Sequence, residues 1–85
     1  MERLRIDHVR HGQALLAMRL PRIRPYLSRP HLAEVCESYS LVSLQIDRLR
    51  RENAPHATIE EYEDLRQSIE KEMRVYMLQS GRRTA

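Results

Sequence analysis

Six apolar positions in the middle of the chain, Leu32, Val35, Tyr39, Val42, Ile46 and Leu49, recur at alternating intervals of three and four. That spacing draws an unbroken stripe along one side of an α-helix and predicts a long helix over about 29–53. Such a stripe must be covered by another helix. A second stripe, Tyr62, Leu65, Ile69, Met73, Tyr76 and Met77, predicts a helix over about 59–80. A shorter helix over 3–20 carries Leu4, His8, His11, Leu15 and Met18 on one line, with Val9, Leu16 and Leu20 beside it. Gly12 weakens the middle of this helix by about 1 kcal/mol relative to Ala.

Punctuation residues set the boundaries. Pro21 stops the first helix, because proline lacks the amide and clashes with the preceding turn. Pro21, Pro25 and Pro30 make residues 21–28 a connector, with Ser28 placed to cap the long helix. Asn53-Ala54-Pro55-His56-Ala57 breaks that helix, and Thr58-Ile59-Glu60-Glu61 has the form of a capping box at the start of the next. Gly81 suits the residue just past a helix end.

The sequence thus predicts an all-α, single-domain protein over 1–85. It has a basic N-terminal helix and Pro/Arg connector (1–28), a long antiparallel helical hairpin (about 29–53 and 59–80) and a basic tail (81–85). Leu41 and Leu44 lie off the seam. With Leu15 and Leu16 of the first helix, they are the expected interface between subunits.

Composition strengthens the case for self-association. A chain of 85 residues buries only ~60–65% of the surface that it exposes when unfolded. Disulfides, a metal or oligomerisation usually compensate. One cysteine allows no internal disulfide, and no Cys/His set has zinc-site spacing. The longest apolar run, Ala14-Leu15-Leu16-Ala17-Met18, is far too short to span a bilayer, so no membrane association is expected. The first residues lack a secretory layout, and a free cysteine fits a reducing, cytoplasmic setting.

Net charge is +3, unevenly spread. Residues 1–30 carry seven Arg against Glu2 and Asp7, residues 54–78 are net acidic, and Arg82 and Arg83 make the tail basic. Arg19, Arg22, Arg24 and Arg29 cluster around the connector. Arginines in an extended segment can follow a phosphate backbone, and with Arg82 and Arg83 they are the candidate DNA contacts. A solvated linker, or pairing with the acidic third helix, is the plain alternative.

Other constellations carry less. His8 and His11 share a helix face, but a metal site needs three or four ligands and no third is evident, which favours a partly buried stripe. Cys36 adjoins the seam without a neighbouring base, as a structural thiol does. Glu60, Glu61, Glu63 and Asp64 fit the dipole and capping demands of a helix start better than acid/base catalysis. No nucleophile, base and oxyanion set occurs, so neither an enzyme nor a cofactor is expected.

Two resemblances add to this reading. Ala14-Leu15-Leu16 and Ile23 precede the connector, and Leu27-Ser28-Arg29-Pro30-His31-Leu32 opens the long helix. Leu65-Arg66-Gln67-Ser68-Ile69 and Arg82-Arg83 follow. This layout resembles the helical oligomerisation core of small terminase subunits of tailed phages. Pro30-His31 stand where that family often has an acidic residue after the Ser/Thr at the helix start. The resemblance implies a ring of helical hairpins in the bacterial host cell that binds double-stranded packaging-site DNA and hands it to a large ATPase-nuclease. Leu32-Ala33-Glu34-Val35 and Leu41-Val42-Ser43-Leu44-Gln45-Ile46-Asp47-Arg48-Leu49 look like the two helices of a helix-turn-helix regulator, with a turn at Cys36–Ser40 that lacks the expected glycine. A further alternative is a small helical interaction protein, a regulator or inhibitor docking through Leu41 and Leu44.

Overall fold

The computed structural model describes residues 6–83; Leu4 of the first stripe lies outside them. The described residues are all-helical. Helix α1 spans His8–Arg19, α2 spans Ala33–Arg51 and α3 spans His56–Arg83. One 3₁₀ segment, Pro21–Tyr26, occupies the expected connector, and a second, Pro30–Leu32, takes the place of the first turn expected for the long helix, so that α2 begins only at Ala33. No helix among the described residues is long and apolar enough to cross a membrane.

Local chemistry explains most of the boundaries. The Asp7 carboxylate accepts the Arg10 amide at 3.2 Å and caps α1. Pro21 ends α1 one residue after Leu20. Helix α2 closes in a Schellman arrangement: the Ala54 amide reaches Leu49 O at 2.9 Å and the Asn53 amide reaches Arg50 O at 3.2 Å. Asn53 supplies the required left-handed residue, with φ of 56°. Helix α3 starts earlier than the capping box suggests. The Pro55 carbonyl accepts the Thr58 and Ile59 amides at 3.0 and 3.2 Å, so Thr58 lies within the first turn. Gly81 is also inside the helix, not beyond its end.

Helix α2 is continuous from Ala33 to Arg51, so no turn divides it near Ser38. The helix-turn-helix reading fails on this point: the uninterrupted seam is better served by one straight helix than by two short ones.

The core is built on both flanks of α2. Leu32, Tyr39 and Ile46 of the seam are buried, but so are Cys36, Ser40 and Ser43, which lie beside the seam. Helix α1 packs on this small-residue side. Gly12 permits the approach, since a Cβ there would lie only 1.8 Å from Cys36 O. The spacing alone pairs the seam with the stripe of the third helix; in fact the buried arc of α2 is wide enough to serve α1 as well.

Leu16 is 0% exposed, clustered with Ile23, Leu27, Leu32, Cys36, Tyr39 and Met73. It therefore belongs to the core of the protomer and has no surface to offer another subunit, contrary to the interface role expected for it. Leu15 is half-buried against the same cluster, Leu44 is half-buried, and Leu41 is 49% exposed.

Helix α3 meets α2 through apolar and polar contacts. Tyr39 Oη donates to Glu70 Oε2 at 2.5 Å in the buried zone. Nearer the turn, Arg50 pairs with Glu63.

Candidate nucleic-acid interface

The four connector arginines have different surroundings. Arg19, in the last turn of α1, places Nε 3.3 Å from Glu70 Oε2. Glu70 is nearly buried and also accepts from Tyr39, and Arg19 supplies a countercharge at 3.3 Å to this buried carboxylate. Arg29 lies over the Tyr26 ring at 4.7 Å and the Tyr76 ring at 5.8 Å, and donates to Tyr76 Oη at 2.7 Å. His31 Nε2 is 3.0 Å from the same hydroxyl, and Tyr26 meets Tyr76 edge-on with centroids 5.7 Å apart. Arg29 is thus a latch between the connector and α3.

Arg22 and Arg24 differ from this pair. Both are exposed, and neither has an ion pair or side-chain hydrogen bond among the described residues. The 3₁₀ segment turns them to different sides. Arg24 borders a shallow groove with Arg10, Gln13 and Ala17 of α1, while Arg22 borders another with Tyr26, Arg74 and Leu78. Gln13 fixes the first groove by donating from Nε2 to Leu27 O at 2.9 Å. Arg10 and Arg74 therefore join the basic surface, although sequence clustering alone does not group them with the connector. The signal for Arg10 is its place one turn before Gln13 and Ala14. Helix α3 reaches Arg83, but the side chains of Arg82 and Arg83 are not among those described.

The remaining candidates serve packing. His8 Nδ1 and His11 Nδ1 lie 2.9 and 2.7 Å from Ser40 Oγ, which is fully buried. A serine hydroxyl has one proton and two lone pairs, so it donates to at most one of the two imidazoles, and at least one ring carries its proton on Nδ1 and donates to Oγ. Among the described residues, no group of three or more His, Cys, Asp or Glu side chains is placed to hold a metal ion. Cys36 is fully buried, and burial pushes its thiol pKa up, away from the nucleophilic form. Tyr39 is also pushed up, first by burial and then by its bond to Glu70.

This surface suits anion binding. Two guanidinium groups with no ion pair among the described residues leave a proline-stiffened segment on different sides, each with another arginine across its shallow groove, and their planar donor forks have the geometry to hold an anion's oxygens. Compared with protein-family models, curated proteins and solved structures, the chain matches none.

Proposed function

We propose that this chain is a non-catalytic DNA-binding homo-oligomer of the small-terminase type, which engages viral DNA for packaging. In this reading α2 and α3 form the antiparallel hairpin of each subunit, and Leu41, Leu44 and Leu15 contribute to a subunit interface. A large terminase-type ATPase-nuclease is the protein partner, and the setting is the cytoplasm of a bacterial host cell.

The observation that carries the reading is the state of Arg22 and Arg24: exposed and unpaired among the described residues, between Arg10 on one side and Arg74 on the other. The exposure of Leu41, 49%, supports self-association.

The reading is tested by fluorescence anisotropy on a labelled DNA duplex at low salt, comparing the protein with an Arg22→Ala, Arg24→Ala double variant. The double variant is expected to bind at least about tenfold more weakly, from the loss of two phosphate contacts per subunit. Equal binding by both proteins would sink the arginine assignment. No binding by either would favour the protein-interaction alternative.

A further inference from the structure

The outer face of α3 carries a stripe that nothing in the protomer covers. At about 100° per residue, Glu60, Asp64, Gln67, Lys71, Arg74 and Leu78 recur at intervals of four and three and form one continuous line. All six are exposed, and Leu78 is 63% exposed. Asp64, Gln67, Lys71 and Arg74 border one shallow groove, with Arg19 of α1 and Glu70 at its edge, and Arg74 and Leu78 border the next with Arg22, Tyr26 and Met77. Asp64, Lys71 and Arg74 have no ion pair among the described residues.

The line is ordered by charge. Its first half is acidic, Glu60 and Asp64, and its second half is basic, Lys71 and Arg74. Asp64 and Arg74 are equidistant from residue 69, as are Gln67 and Lys71, and Glu60 and Leu78. A second α3 running antiparallel would set Asp64 of each copy against Arg74 of the other, twice over. The Gln67 amide oxygens would accept from the Lys71 ammonium groups. Leu78 would lie along the aliphatic part of Glu60. A parallel pairing would stack acid on acid and base on base. The helix dipoles oppose one another favourably only in the antiparallel arrangement.

We propose that this face pairs with itself: α3 of one copy lies antiparallel to α3 of a second copy about a two-fold axis near residue 69, with Asp64–Arg74 ion pairs repeated on both sides. Such an isologous contact is self-complementary and closes at two subunits. It rests on the self-associating reading above and adds a second interface, distinct from the one at Leu41.

A charge swap tests the pairing. The protein, Asp64→Arg, Arg74→Asp and the double exchange are compared by sedimentation velocity over a concentration series, with circular dichroism verifying equal helicity. Each single variant places like charges opposite one another at two sites and should weaken association about tenfold or more. The double exchange should restore it, because opposite charges then face each other again with their positions swapped. The inference is overturned if the parent protein is monomeric, if the single variants keep its mass, or if the double exchange dissociates as readily as they do. A parent that stays monomeric but captures an acidic foreign protein falls under the first of these outcomes. The pairing engages Arg74 and leaves Arg10, Arg22 and Arg24 to the DNA surface; duplex binding by an Arg10→Ala, Arg24→Ala variant reports on the DNA reading independently, because those two residues line the groove that holds no α3 residue.

Discussion

Replacing Gly12 by alanine sets two effects against each other. Alanine favours a helix interior over glycine by about 1 kcal/mol. At this site, however, the new Cβ would lie 1.8 Å from Cys36 O and 2.5 Å from Cys36 C. Those atoms are backbone of α2 and cannot swing aside as a side-chain tip would. Restoring ordinary contact requires α1 to withdraw by roughly 1.5 Å, and a close-packed interior resists that shift. Withdrawal would stretch both histidine contacts to Ser40 and loosen Leu16, which is fully buried. Overpacking of this kind costs about 1–3 kcal/mol or more, so the expected net loss after the propensity gain is about 2 kcal/mol. For a domain of this size that is roughly 10 °C in Tm. The companion change, Gly81→Ala, meets nothing within 4 Å and should be neutral or stabilising by up to ~1 kcal/mol. Urea unfolding followed by circular dichroism reads both. A Gly12→Ala protein as stable as the parent would refute the close α1–α2 approach.

Further outcomes follow from the same contacts. The Tyr39 phenol has its pKa raised in the folded state above its ordinary value of 10.0, so its stabilising bond is fully present below pH ~10 and is lost as the pH rises beyond it. Tyr39→Phe should be less stable by about 1–3 kcal/mol at neutral pH. It should also show a smaller fall in urea midpoint between pH 9 and pH 11; an identical alkaline fall would count against the Tyr39–Glu70 bond. Cys36 should react with an aromatic disulfide reagent only after denaturant is added, and rapid labelling of the native protein would contradict its burial. Ile46→Asp, at a fully buried position, should abolish the cooperative transition, whereas Leu41→Asp should keep the helical signal while lowering the oligomer mass. Equal loss of helicity in both would contradict the division between core and interface.

The all-helical architecture is legible because apolar spacing is a strong signal wherever large side chains mark the buried line. It fails where burial involves small or polar residues. Cys36, Ser40 and Ser43 form the side of α2 that receives α1, yet none weighs in a count of large apolar positions. Gly12 reads as a weakness because helix propensity sees only the local chain, while its use is a contact with Cys36 across the molecule. Leu16 resembles spare apolar surface as long as the seam is given entirely to the third helix. The arginines show the same limit at the candidate site. Arg19 and Arg29 resemble Arg22 and Arg24 in sequence, but Glu70 and Tyr76, which engage them, lie far along the chain. Only the folded arrangement separates the two engaged arginines from the two that remain available.

The salt dependence of duplex binding tests the central proposal most directly. Affinity for a labelled DNA duplex, measured by anisotropy over a range of salt concentrations, should fall steeply, with a log–log slope of about −0.9 for every phosphate neutralised. Contacts from Arg22 and Arg24 alone give about −2 per subunit, and each further subunit engaged steepens the slope. Replacing both residues by alanine should flatten it by a matching amount. A parent protein that binds no duplex even at the lowest salt, or one whose slope is unchanged when both arginines are removed, would contradict the account.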